Sequence, residues 1–452
     1  MAGGTFDSLA GKVRPGTYIN FESTRQDVVG IGERGTVLIP LIGHSYGPAG
    51  EFISLTNSAP DAQLSKLGFS VYDNNDQMLL IREAFKNAKT VIVYIPSQGE
   101  KAKAESGKLK AVAKYGGSRG NELKVTVAQN LISGFDVTVS LDKKTVSFYE
   151  GLLTVEELMA QNDSWIDFSG TGDLEEIIDI NLSDGKDGVD SIGDISNFLD
   201  KSESIKWNTL AFPLNPEILS EESIAALYEA VVKKIEYLRE DAGKYRKAVV
   251  ANMDNPDYEG IINVTNSVVL ADGNKLTPDQ VTAWVAGADA GASYTKSNTY
   301  VTYSGAVDIV GAKTHEESVA AINKGEFFFS FSEAGEVVVE YDINSLKTFK
   351  KPKDKTYRKN RVLRVFDSFA ESLMLNFPPN KFDNSPIGWD VMEGLGKAIL
   401  KQFADTGAIK NADYDKDFLV DRSKSSADET YFNIGLEPID SAEKLFFTIK
   451  TR

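Results

Sequence analysis

The chain has 452 residues, a net charge of −17, 42% hydrophobic residues and no cysteine. Its length exceeds what one hydrophobic core serves, so about two to four domains are expected. The acidity argues against nucleic-acid binding, which needs a cationic surface, and the lack of cysteine excludes disulfides, thiolate metal sites and a cysteine nucleophile. No stretch approaches the roughly 20 apolar residues of a membrane span, and the first residues lack the apolar core of a signal peptide, so no direct membrane insertion is expected.

Residues 1–25 read as an extended arm: Pro15-Gly16 makes a turn before the β-rich run Thr17-Tyr18-Ile19-Asn20-Phe21. Gly30-Ile31-Gly32-Glu33-Arg34-Gly35 satisfies the dinucleotide-binding glycine pattern. That chemistry needs a helix after the glycines, so that its N-terminus meets the pyrophosphate. Thr36-Val37-Leu38-Ile39 is instead a strand pattern, so the glycines read as a turn and no cofactor is expected. Residues 26–96 form the first part of an α/β core, with buried strands over 35–43 and 91–95 and a helix over 76–88.

The texture changes at about residue 97. Alternating strands over 122–128, 135–141 and 145–149, separated by Gly, Asn and Asp-Lys turns, predict an inserted all-β domain, sandwich-like, over 97–172. Within it Gly116-Gly117-Ser118-Arg119-Gly120 matches the nucleophile elbow of serine hydrolases, with His315 downstream. The elbow needs a helix after the serine, whereas Glu122-Leu123-Lys124-Val125-Thr126-Val127 alternates as a strand, so no catalytic residue is assigned. An acidic, Gly-punctuated segment follows, with Asp173, Glu175, Glu176, Asp179, Asp184, Asp187, Asp190 and Asp194. Its loop 184–190 lacks the alternating ligand spacing of an EF-hand; adventitious calcium stays open and no metal site is assigned.

The α/β pattern returns over 173–345. A strand over 207–212, a helix capped by Ser220, and a strand over 248–251 make a β–α–β crossover. Thr277-Pro278-Asp279-Gln280 and Thr314-His315-Glu316-Glu317 are capping boxes that start two more helices. Strands over 326–331 and 336–341 lead to residues 346–434, a C-terminal core domain. It opens on a basic run that includes Lys353, Lys355, Arg358, Lys359, Arg361 and Arg364 and feeds a helix through Val362, Phe366, Phe369 and Leu373. A further helix runs from Ser385-Pro386 to about Gly407. Residues 435–452 form a second arm ending in Leu445-Phe446-Phe447-Thr448-Ile449-Lys450.

The fold class is therefore α/β (mixed α+β) and multidomain, with α/β core domains, an inserted small all-β domain and strand-forming terminal arms. Aromatic, β-branched strands at both ends need a sheet to pair with. Either they close the protein's own sheet or they are donated to neighbouring copies.

Several segments together resemble one family. The opening Met1-Ala2-Gly3-Gly4-Thr5-Phe6 with Val13-Arg14-Pro15-Gly16-Thr17-Tyr18-Ile19-Asn20-Phe21 is similar to the sheath subunit of contractile phage tails, of the type found in defective prophages and R-type bacteriocins of Gram-positive bacteria. Tyr115-Gly116-Gly117-Ser118-Arg119-Gly120-Asn121, Trp207-Asn208-Thr209-Leu210-Ala211, Ala290-Gly291-Ala292-Ser293-Tyr294-Thr295-Lys296-Ser297 and Leu436-Glu437-Pro438-Ile439-Asp440-Ser441 continue the resemblance along the whole chain.

The resemblance implies a structural protein, not an enzyme, without cofactors. It would form hexameric rings stacked helically on a tail tube protein, beside baseplate and tail terminator proteins. It would be made in the bacterial cytoplasm and reside in the virion tail or a released tail-like particle. In the family the two arms add strands to sheets of adjacent subunits, and a metastable extended sheath contracts once to drive the tube through an envelope. Tyr18, Ile19, Asn20, Phe21, Leu445, Phe446, Phe447, Thr448 and Ile449 are the expected inter-subunit residues. Lys353, Lys355, Arg358, Lys359, Arg361 and Arg364 are candidates for docking on an acidic tube. The alternatives are a self-assembling bacterial surface protein and, through Ser118, a serine hydrolase.

Overall fold

The computed structural model describes residues 34–451 and, ahead of them, the backbone of two short strands, Ala2–Gly4 and Gly16–Tyr18, which pair in parallel. It contains two compact units. The larger comprises residues 33–368, 406–410 and 437–452; the smaller comprises 1–32, 369–405 and 411–436.

The larger unit is organised by a seven-stranded sheet. Its strands are β1 (Thr36–Pro40), β2 (Phe52–Thr56), β3 (Thr90–Tyr94), β4 (Thr209–Ala211), β5 (Lys247–Ala251), β6 (Ile261–Val264) and β7 (Glu326–Phe327), in the order β7-β6-β5-β4-β1-β3-β2. All neighbours are parallel except β2, which lies antiparallel on β3 at one edge. Parallel strands need cover on both faces, which is why Val37-Leu38-Ile39 and Val91-Ile92-Val93 are apolar without alternation. Val37, Ile39, Val91 and Val249 face a core shared with helices α1 (Asp76–Phe85) and α3 (Pro278–Gly291). Leu38, Leu210, Ala248 and Val250 face the opposite core, with the helix Ile192–Lys201 and with α2 (Glu221–Glu236).

The expected crossover is present as β4–α2–β5, and Ser220 caps α2 by accepting from the Ser223 amide. Both capping boxes form, at Thr277 and Thr314. Helix α3 is buried around its whole circumference. Small residues permit this: a Cβ at Gly287 would meet the Ala84 backbone of α1, so the two helices approach without a side chain between them. Trp284 stacks on Tyr303 at 4.4 Å between ring centres, and the Tyr303 hydroxyl donates to Glu83 at 2.6 Å.

The inserted domain holds two antiparallel sheets. One orders Ile166–Gly170, Leu109–Gly116 and Lys101–Ser106; the other orders Lys144–Leu152, Phe135–Leu141, Leu123–Gln129 and Ile177–Asn181. Asp142 and Lys143 both take positive φ in the two-residue turn between paired strands, as a primed hairpin turn requires. Val125, Val127, Val137, Val139 and Trp165 fill the space between the sheets. The domain does not stop at residue 172: Ile177–Asn181 pairs antiparallel with Leu123–Gln129. Part of the acidic segment is therefore an edge strand of this domain.

In the smaller unit, the second half of helix α4 (Asn360–Asn376) and helix α5 (Pro386–Asp405) pack through Phe369 and Phe403, whose rings meet edge to face at 5.3 Å. Strands β8 (Phe418–Val420) and β9 (Phe432–Ile434) form an antiparallel hairpin whose Phe418 and Phe432 join Phe377 in one aromatic cluster. Among the described residues no helix is long and apolar enough to cross a membrane.

Candidate assembly interface

The C-terminal arm is tied at its root and bare at its tip. The Lys410 amide donates to the Glu437 carbonyl and the Ile439 amide to the Ala408 carbonyl, both at 2.9 Å. Further on, the Glu443 carboxylate accepts from the hydroxyls of Ser297 and Thr299 at 2.8 and 2.7 Å and is ion-paired with Lys359. Beyond Lys444 the arm makes no strand, and its apolar side chains face solvent: Leu445 is 66% exposed, Phe446 91%, Phe447 83% and Ile449 89%. The expectation of a strand closing the protein's own sheet is not met. The run is β-prone but unpaired, because among the described residues no sheet edge meets it.

Of the expected N-terminal arm residues, Tyr18 ends the short strand Gly16–Tyr18. Ile19, Asn20 and Phe21 lie outside the described residues, as do most of the glycines of the 30–35 motif; Gly35 precedes strand β1 as expected.

The basic run is largely turned inward. Of its six candidate cations, Lys355 is exposed and Lys353 half-buried, while Arg358, Lys359, Arg361 and Arg364 are buried. Lys353 pairs with Glu240 at 2.8 Å and Glu259 at 2.6 Å. Arg361 donates to the Ser441 hydroxyl at 2.7 Å. Arg364 is fully enclosed, bound to Asp289 at 2.7 Å and Asp342 at 2.8 Å. The sequence shows the sign of this run but not its carboxylate partners, which lie far away along the chain. As a solvent-facing cationic patch, the expectation is corrected for these four residues: all are buried, and Lys359 and Arg364 are ion-paired inside the subunit.

Asp289 is the hub of that enclosed network. It also meets Lys247 and accepts from the Thr209 hydroxyl at 2.8 Å, with Arg34 at 4.0 Å. Burial alone pushes the Asp289 carboxyl up, but Lys247, Arg364 and Arg34 outweigh it and hold the group well below the usual carboxylate range. Burial pushes Lys247 down to about 8, with Asp289 opposing the shift.

The hydrolase pattern is absorbed by structure. Ser118 sits on the 3₁₀ turn Ser118–Glu122, which runs into a strand, and its hydroxyl bonds Asp187 at 2.7 Å. His315 occupies the first turn of the helix His315–Lys324. His44 lines the same cleft as Ser118 but is buried, and that burial pushes it down to about 4. The acidic loop 184–190 is likewise structural. Asp187 accepts from the Ser118 amide, and Asp190 accepts from the Gly43 amide and the Ser97 hydroxyl. No group of three metal-ligating side chains occurs among the described residues.

A doubly wound α/β body, an inserted β-sandwich-like domain, and an anchored arm with a bare apolar tip define a subunit built for assembly. Family models of the phage tail sheath match along it: the central domain over residues 190–345, the C-terminal domain over 352–452 and the β-sandwich domain over 97–187. The phage-like element PBSX protein XkdK of Bacillus subtilis is 36% identical, with all of both chains covered. The crystal structure of the sheath tail protein from Desulfitobacterium hafniense superposes with a TM-score of 0.80 at 35% identity, covering 95% of this chain and 98% of that one. At 15% identity the helical sheath of the anti-feeding prophage in its contracted state shares the fold, with a TM-score of 0.56 over 98% of this chain and all of the other. The chain belongs to the phage tail sheath family and is a tail sheath protein.

Proposed function

We propose that the chain polymerises as stacked hexameric rings around a tail tube, with strands donated at both ends, and contracts once from a metastable extended state to drive the tube through a bacterial envelope. The observation that carries this reading is the C-terminal arm. A strand-forming run with four apolar side chains in water is unfavourable for an isolated subunit. Burying each against a neighbour returns roughly 1.5–3 kcal/mol. The hairpin β8–β9 supports an acceptor role, since a two-stranded sheet is marginal by itself and keeps two open edges. Head-to-tail donation from one ring to the next does not close, so it stacks rings into a helix rather than a finite oligomer.

In this reading the subunit is not an enzyme and uses no cofactor. Work comes from free energy stored during assembly and released when rigid domains repack while strand links persist. The partners are other copies, a tail tube protein, and baseplate and tail terminator proteins. The protein is made in the bacterial cytoplasm and resides in the virion tail or a released particle. Tube docking through the basic run is narrowed to Lys353 and Lys355, the two of its six candidates that are not buried. Electron microscopy of the purified chain, alone and co-expressed with a tube protein, tests the proposal. Hollow tubes from the full chain, lost on deleting residues 1–21 or 445–452, are expected. Normal tubes from both truncations would refute strand donation.

A further inference from the structure

The four inward-turned cations leave a question of purpose, and two of them, Lys359 and Arg361, meet the C-terminal arm. We propose that Lys359, Ser297, Thr299 and Glu443 form a latch that fixes the root of the donated arm and so sets its reach and direction. The inference rests on the strand-donation reading above.

The latch is a built site. The Glu443 and Lys359 side chains are 10% and 9% exposed, on a chain segment whose next residues stand in open solvent. Glu443 accepts from two hydroxyls and a cation, which saturates much of one carboxylate. Thr299 also receives the Asp342 amide at 3.0 Å, so its hydroxyl is oriented from behind. Arg361 holds Ser441 two residues upstream, and Lys359 lies over the Tyr341 ring at 4.4 Å. Lys444 lies 5.9 Å from the same ring, and after it every described arm residue is exposed. Attachment therefore stops sharply between Glu443 and Leu445.

That boundary has a geometric consequence. From the latch, the eight residues after Lys444 reach about 27 Å when extended. Without it, the nearest tie upstream is Arg361 on the Ser441 hydroxyl, and the free tether grows to eleven residues, reaching about 37 Å. A longer tether dilutes its own tip: the −3/2 power of length lowers the effective concentration about 1.6-fold, before any loss of direction. A latched arm arrives at its acceptor edge already aimed, which suits a helix in which every subunit must make the same link.

The test uses Glu443→Ala and, in case that variant folds poorly, Glu443→Gln, which keeps an acceptor for the hydroxyls. The chain has no cysteine, so nitroxides go on cysteines introduced at Ile449 and at exposed Glu316, and their separation is read by pulsed electron spin resonance in the unassembled protein. The expected result is a broadened distance distribution and a critical concentration for assembly raised by about 1.6-fold or more, with the melting transition of the body retained. An unchanged distribution and unchanged critical concentration would overturn the latch. A parallel deletion of 445–452 separates the two ideas. If that truncation still assembles, donation of the C-terminal strand itself fails; if it does not assemble while Glu443→Ala matches the full chain, only the latch fails.

Discussion

Substituting Asp289→Asn probes the enclosed network directly. The change keeps size and one acceptor oxygen while removing the carboxylate charge shared by Lys247, Arg364 and Arg34. Lys247 and Arg364 are 1% and 0% exposed, so water cannot replace the lost anion. Breaking one side of a buried pair costs about 3–5 kcal/mol, because the remaining charge stays desolvated. At about 2 °C per kcal/mol for a body of this size, the melting midpoint of the larger unit should fall by about 6–10 °C at pH 7.5. Differential scanning calorimetry of the unassembled chain measures this.

The pH dependence has a definite sign. The folded pKa of Asp289 lies below its unfolded value near 4. Its stabilisation is therefore complete above about pH 4 and is lost as pH falls toward the folded value. The gap between wild type and variant should shrink below pH 4. A variant melting within 2 °C of wild type at pH 7.5 would refute the hub role of Asp289.

Phe446→Ser together with Phe447→Ser should leave the melting of the unassembled subunit within about 0.5 kcal/mol, since both rings are in solvent, yet abolish tube formation by electron microscopy. A fluorophosphonate probe should not label the chain at Ser118, and Ser118→Ala should cost only about 1 kcal/mol, read from unfolding of the inserted domain. In the smaller unit, Gly396→Ala should destabilise by about 1–3 kcal/mol, because its Cβ would stand on the Phe418 ring; faster amide exchange along α5 is the measurement.

Much of the fold was legible because its signals are local. The capping boxes at Thr277 and Thr314, the Ser220 cap and the Asp142-Lys143 turn each lie within four residues of what they determine. Apolar runs such as Val91-Ile92-Val93 betray strands covered on both faces. The end of the inserted domain was not legible. Ile177–Asn181 carries Asp179 and alternates weakly, and its membership depends on pairing with Leu123–Gln129, some fifty residues earlier. The hairpin β8–β9 was missed for a similar reason: its strands are three residues each, and the aromatic cluster with Phe377 defines them more than periodicity does.

The site divided along the same line. An arm announces itself by composition, since aromatic and β-branched residues near a chain end ask for a partner. A basic run announces only its sign. Whether Arg364 faces solvent or Asp289 depends on contacts 75 residues apart, and whether Lys359 is free depends on Glu443, 84 residues downstream. In a chain with a net charge of −17, carboxylates are plentiful enough that a cluster of cations readily finds partners within its own subunit. Tube contacts should therefore not be sought among the buried cations of this run. Charge reversal at Lys355 should weaken tube-templated assembly while leaving folding intact. Reversal at Arg364 should unfold the subunit, and recovery of soluble, melting-competent protein from Arg364→Glu would show the inward network to be dispensable.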